Sequence, residues 1–180
     1  AARRIFSPAS SRSVATRWGS KVDWWVTVNE PNVQSVIGYL LGTWPPGVSD
    51  ADRVALVQRQ QVFAHAKAYD AIHAADTVDA DGDGKAAMVS MALHQRVYLP
   101  KDPEDADDQA VADHATYFWN YWYLNALTKG DLDADFDEKL DGPNDKKGAA
   151  ELANRLDYIG LNYYGYSIVA AKSAKLPYLG

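Results

Sequence analysis

Val22-Asp23-Trp24-Trp25-Val26-Thr27-Val28-Asn29-Glu30-Pro31 reads as a buried strand that ends in a carboxylic acid. Val22 to Val28 is β-branched and aromatic, and mostly apolar on both faces. That is the pattern of a strand in a parallel sheet, where helices or a barrel interior cover both sides. Asn29 and Glu30 break the apolar run and Pro31 follows at once. Glu30 is thereby left at the C-terminal mouth of the strand, the edge where α/β folds place their chemistry.

Outward from this strand the chain alternates. Val14 to Trp18 reads as the tail of a helix with Gly19 as its C-terminal cap. Asn32 to Asp50 reads as a long loop, rich in Gly and Pro at Gly42-Thr43-Trp44-Pro45-Pro46-Gly47, and loops of that length are usually functional. Ser49 and Asp52 have the spacing of a capping-box variant before a helix that runs to about Ala74, with Val54, Val57, Ala68, Tyr69 and Ile72 on one face. Ala86 to Leu93 is a second buried strand. A helix from about Ala110 to Thr128 stops at Gly130, and Leu152 to Leu156 has room for one more helical turn. Asp157 to Asn162 is a third strand, and Gly165 to Gly180 shows no clear period. Helix, strand, helix, strand, helix, strand implies βαβ units and a parallel sheet. Three strands cannot close a barrel, which takes about 250 residues.

The 180 residues suffice for one domain, and no linker or internal repeat divides residues 1–180. A net charge of −6 and a pI near 5.1 argue against nucleic acid and anionic membranes as partners. With no cysteine, disulfides, thiolate catalysis and Cys-ligated metals are excluded. No apolar stretch is long enough to span a bilayer. Ala1 to Ser10 carries Arg3 and Arg4 without an apolar run behind them, so it does not read as a secretory signal. The compartment is not fixed by these features, and the reading leans to a soluble, cytoplasmic protein. The start lacks a Met, as expected of a processed or trimmed chain or of a stretch from inside a longer one.

Trp25-Val26-Thr27-Val28-Asn29-Glu30-Pro31, followed by Gly38-Tyr39 and Pro45-Pro46-Gly47, resembles the acid/base segment of glycoside hydrolase family 1, the β-glucosidase type. Asp157-Tyr158-Ile159-Gly160-Leu161-Asn162-Tyr163-Tyr164 resembles that family's sixth-strand motif, and Ala64-His65-Ala66 lies on the helix between, as in family members. The resemblance spans nearly the whole chain, from the helix before the fourth strand to the loop after the sixth. It implies a (β/α)8 TIM barrel of which this chain is an incomplete middle portion, about three βα units, with carbohydrate as the substrate partner and the rest of the barrel as a further segment or chain.

A retaining glycosidase needs a proton donor for the leaving oxygen and a carboxylate nucleophile about 5–5.5 Å away. The resemblance makes Glu30 the general acid and later base. It gives Asn29 the sugar 2-hydroxyl, places Asn162 near the leaving group, and gives Tyr164 a hydrogen bond to the nucleophile. A Glu rather than a Gln at position 30 implies an O-glycosidase lineage rather than a thioglucosidase one. His94, just past the second strand, is a candidate for the aglycone side, with a satisfied loop histidine as the alternative. The family nucleophile is a Glu followed by Asn-Gly. The chain has four glutamates, Glu30, Glu104, Glu138 and Glu151, and none has that context. The nucleophile is therefore expected from outside this chain, and the isolated chain is expected to be inactive. A non-catalytic, barrel-derived fragment that binds sugar or a partner is the alternative.

No cofactor is required by this chemistry. Asp79-Ala80-Asp81-Gly82-Asp83-Gly84 has the alternate carboxylates of a calcium loop, and Asp76 is available to complete it. An EF-hand also needs a Glu at its twelfth position, which is Ser90, and a following helix where a strand is expected. Asp79, Asp81 and Asp83 thus remain candidate ligands for a structural calcium ion, with a tight acidic turn as the alternative. His65 falls on the apolar face of its helix and is expected to be a packed core residue. His73 and His114 show no metal spacing.

Overall fold

The structure is a computed structural model that describes residues 7–173. The Arg3-Arg4 segment and the last residues of the tail without a period lie outside that range. Three strands, β1 (Trp24–Asn29), β2 (Met88–Pro100) and β3 (Gly160–Val169), form one parallel sheet in the order β1-β2-β3. Helix α1 (Pro8–Trp18) precedes β1. After β1 come the short α2 (Pro31–Ser35), which widens into a π turn at Val36–Leu40, and the long α3 (Ala51–Ala75). Between β2 and β3 runs α4 (Ala106–Thr116). It continues through a π turn at Tyr117–Tyr121, the short α5 (Trp122–Leu124) and a second π turn at Asn125–Lys129.

Several boundaries differ from the sequence reading, each for a local reason. The expected loop Asn32 to Asp50 begins as helix, because Pro31 fixes the first helical residue and Asn32 and Ser35 are buried polar residues with partners rather than an apolar stripe. Asp50, not Ser49, caps α3, accepting the N–H groups of Asp52 and Arg53, while the Ser49 hydroxyl donates to the Leu40 carbonyl. The helix after β2 begins at Ala106, where the Asp105 carboxylate accepts the Asp107 N–H. Leu152 to Leu156 is a turn rather than a helix. Gly130 does end the helical run, in the left-handed region at φ 78°.

The central strand is buried on both faces from Met88 to His94, as expected of the middle of a parallel sheet. Its outer face meets α3 and the helical run after α4. There Val54, Val62, Met91, Leu93, Phe118, Trp122, Leu127 and Phe136 form the main core. Each of these large side chains contributes on the order of 1.5–3 kcal/mol by leaving water. A second cluster of Ala15, Ile72, Ala87 and Val89 joins α1 and α3 to the start of the sheet. The flanking strands are barer: Trp24 and Val26 on β1, and Leu161 and Tyr163 on β3, are all more than half exposed.

Both flanking strands gain one residue on β2, β1 near its C-terminal end and β3 in its middle. Val26 pairs with Ser90, but Asn29 pairs with Ala92. Gln95 pairs with Tyr163, but Val97 pairs with Tyr166. An extra residue in a strand swaps which side chains share a face. The first irregularity puts Asn29, rather than Val28, beside Ala92. The second, next to Gly165 at φ 146°, lets Tyr164 before it and Ser167 after it share the face of His94, Arg96 and Tyr98.

Candidate active site

Glu30, at the C-terminal end of β1, meets the middle of β2 and the first residues of β3. Its N–H donates to the Ala92 carbonyl at 2.7 Å, anchoring it to β2. Its own backbone is left-handed, φ 50° and ψ 55°, which is unusual for a residue with a side chain and clusters at functional sites. That turn ends β1 and starts α2 within one residue. The Glu30 carboxylate accepts a hydrogen bond from Asn162 Nδ2 at 2.9 Å, and the same amide lies 3.0 Å from Asn29 Oδ1. Two motifs more than 130 residues apart in sequence thus share one amide group.

Two open clefts adjoin this point, of about 560 and about 480 Å³. Glu30, Val33 and Trp44 line both and so stand between them. The smaller cleft has Asn29, Gln34 and Pro45 on its other side. The larger is walled by His94, Arg96, Tyr98, Trp119, Tyr164 and apolar residues of α2 and its π turn. Glu30 is the sole carboxylic acid among the described residues that line either cleft.

The π turn after α4 builds the wall of the larger cleft. Trp119 Nε1–H donates to His94 Nδ1 at 2.9 Å, so the neutral His94 ring carries its proton on Nε2. Burial pushes the His94 pKa down and so favours that neutral form, partly opposed by the Glu30 carboxylate. Tyr164 stacks on the His94 ring with centroids 5.3 Å apart. Buried Asn32 ties the layers together, donating to the carbonyls of His94 at 2.7 Å and Trp119 at 3.2 Å.

A sequence profile of Glycosyl hydrolase family 1 matches residues 8–177. The chain belongs to that family. Among curated family 1 relatives it is 32% identical to a β-galactosidase of Pyrococcus woesei over 170 residues, 91% of this chain and 32% of that protein. It is 30% identical to β-glucosidase A of Thermotoga maritima over 163 residues, 88% of this chain and 34% of that protein. The chain therefore spans about a third of the length of these relatives. A solved structure of a Thermotoga maritima β-glucosidase in complex with glucoimidazole superposes with a TM-score of 0.75 at 22% identity, covering 96% of this chain and 38% of that one. A β-glycosidase from the hyperthermophile Thermosphaera aggregans gives 0.70 at 23%, covering 94% and 31%. These likenesses identify the three-stranded sheet as part of a (β/α)8 barrel.

Of the candidate site residues, Glu30, Asn29 and Asn162 lie within hydrogen-bond distance of one another through the Asn162 amide. His94 and Tyr164 lie on the same cleft. Sequence reasoning did not reach Arg96, Trp119 and Asn120: β2 runs on to Pro100, past the expected strand end at Leu93, and Trp119 and Asn120 sit on a π turn whose faces a fixed helical period does not predict. His65 is fully buried, between Thr27 Oγ1 at 2.6 Å and the Arg155 carbonyl at 2.5 Å, with its pKa lowered to about 4 by burial.

The acidic turn is arranged differently from the calcium loop considered above. Asp79 accepts the N–H groups of Gly82 and Gly84, Asp81 that of Asp83, and Asp83 that of Lys85. Asp79 and Asp81 lie together with Asp23, and Asp83 is not in that group. Buried Asp23 in turn accepts the N–H groups of Ala80 and Asp81. Asp76 accepts the indole N–H of Trp25 instead of joining the turn. Among the described residues no helix is long and apolar enough to cross a membrane.

Proposed function

We propose that this chain carries the acid/base half of a retaining β-glycosidase site of the β-glucosidase type. Glu30 protonates the glycosidic oxygen as the leaving group departs. As a carboxylate it then takes a proton from the water that hydrolyses the glycosyl-enzyme intermediate. The carboxylate nucleophile comes from outside residues 1–180. The reaction draws on two carboxyl groups and water and requires no cofactor.

The observation that carries this reading is the Asn162 amide held at 2.9 Å from Glu30 and 3.0 Å from Asn29. It supports a fixed proton donor with an amide beside it for a sugar hydroxyl. The position of Glu30 between two clefts supports a bond cleaved at that wall. The cleft with Asn29, assigned to the 2-hydroxyl, takes the sugar that becomes covalently bound. The cleft with His94 takes the aglycone. Tyr164 is assigned the hydroxyl that keeps the nucleophile ionised, and its 72% exposure is consistent with a partner arriving from outside.

Grafting residues 8–177 into Thermotoga maritima β-glucosidase A, in place of the matching third, tests the proposal. The graft is expected to hydrolyse aryl β-glucosides with retained configuration. Glu30→Gln should lower its kcat/KM on the order of 10²–10⁴-fold. Full activity in Glu30→Gln refutes the assignment. A second reading, a non-catalytic piece that binds sugar or a partner, is favoured by the lack of a second acid among the described residues lining the clefts. A graft that folds and binds glucose but hydrolyses nothing would support it.

A further inference from the structure

Arg96 stands out in the larger cleft. Its backbone is clamped at both ends by Asn120, whose Oδ1 accepts the Arg96 N–H at 3.0 Å and whose Nδ2 donates to the Arg96 carbonyl at 2.7 Å. Its guanidinium donates to Ser167 Oγ at 2.8 Å. The bulge in β3 is what brings Ser167 to that face. Among the described residues no carboxylate lies within ion-pair distance of this half-buried cation. One neutral hydroxyl leaves most of the five N–H donors of a guanidinium without a protein acceptor. A partly buried charge with an oriented, underused donor fork matches a planar carboxylate.

The walls around it are of the opposite kind. Ile37, Trp44, Tyr98, Trp119 and Tyr164 offer flat aromatic and aliphatic surface. An apolar slot with one fixed cation suits a planar ring carrying an anionic group. We propose that Arg96 is a specificity residue for the leaving group: it selects aromatic aglycones that carry a carboxylate, pairing with that group while the ring lies against Trp44 and its neighbours. The inference rests on the reading above that the His94 cleft is the aglycone side. Glu30 lines the same cleft and repels an anion there, so the preference measured in the unmodified chain is what remains after that opposition.

The test is isothermal titration of the 180-residue chain with 4-hydroxybenzoate and with 4-hydroxybenzamide, which has the same shape without the charge. The chain is expected to bind the carboxylate about tenfold or more tightly than the amide. Arg96→Gln should reduce that preference to less than twofold, chiefly by weakening binding of the carboxylate. Glu30→Gln should increase the preference, because it removes the repulsion. Equal binding of the two probes by the unmodified chain overturns the inference, and so does a preference that survives Arg96→Gln. If Arg96→Gln does not fold, Ser167→Ala decides the matter, since it frees the guanidinium: an unchanged preference counts against the oriented fork. None of these readings depends on turnover. A graft that hydrolyses neutral aryl glucosides while the chain shows no carboxylate preference overturns this inference alone. A dead graft beside a chain that binds 4-hydroxybenzoate through Arg96 overturns the glycosidase reading alone.

Discussion

His65 makes the stability of this chain depend on pH in the window between the ordinary histidine value and about pH 4. The ring is fully buried. The Arg155 carbonyl can only accept, so His65 Nε2 carries the proton and donates at 2.5 Å. Nδ1 then accepts from the Thr27 hydroxyl at 2.6 Å. Charging the ring would need a proton on Nδ1 and a rotation of the Thr27 hydroxyl toward the Ser90 carbonyl, 3.4 Å away. Burial therefore lowers the pKa from 6.5 to about 4. The folded pKa lies below the unfolded one, so the neutral ring adds stability above pH 6.5 that is lost as pH falls toward 4. In that interval the unfolded chain binds a proton and the folded chain does not. At about 1.4 kcal/mol per pH unit, the loss reaches roughly 2 kcal/mol by pH 5 and roughly 3 kcal/mol by pH 4. Urea denaturation at intervals from pH 7.5 to 4 measures it against His65→Gln, which has no titrating ring. Subtracting the two curves removes the carboxylates common to both. A difference that stays flat between pH 7 and 4.5 refutes the reasoning. An NMR titration of the His65 ring gives the same answer if the variant does not fold.

Asn162→Ala in the grafted barrel removes the amide that holds Glu30 and Asn29. A loss in kcat/KM of about 10- to 100-fold is expected, as for a charge-assisted hydrogen bond, measured on an aryl β-glucoside. Asp157→Asn should destabilise the chain by about 2–3 kcal/mol in urea. Burial pushes the Asp157 pKa up, but hydrogen bonds from the Tyr69 hydroxyl, the Val89 N–H and His73 outweigh it and hold the group ionised. The stability this depressed pKa supplies is present above the ordinary Asp value and fades as pH falls below it, a window distinct from that of His65. Gly160→Ala should disrupt pairing of β2 with β3, because an added Cβ would lie 2.5 Å from the Met91 carbonyl oxygen; hydrogen exchange at β3 amides reads it. The exposed outer residues Leu161 and Tyr163 on β3 should drive association of the isolated chain, and a Leu161→Lys, Tyr163→Lys variant should sediment as a smaller species.

The strand at Trp24–Asn29 was legible because both its faces are apolar and Pro31 ends it abruptly. The third strand was read short for a physical reason. The bulge beside Gly165 breaks the two-residue alternation, so Gly165 to Val169 shows no period although it pairs with β2 as far as Pro100. Helix α2 was hidden because its buried side is polar, with Asn32 bonded to β2 and Ser35 accepting from Gln58. At the site, Glu30, Asn29 and Asn162 could be read because each belongs to a compact motif. Arg96 and Trp119 could not, since Arg96 lies on the part of β2 beyond Leu93, where the apolar run has ended, and Trp119 meets the cleft through a π turn.

The Asn162 bridge has a geometric consequence. β1 and β3 are not neighbours, since β2 lies between them. In a flat sheet their backbones would stand two strand spacings apart, about 10 Å. Their asparagines nevertheless meet at 3.0 Å across the face of β2. The two asparagine side chains lean toward one another across the strand between them and so tie β1 to β3, which share no backbone hydrogen bonds. One side-chain amide thus acts as a staple across three strands: pulling β3 away from β2 would also uncouple Asn29 and Glu30 on β1, so the outer strand and the acid are held as a unit.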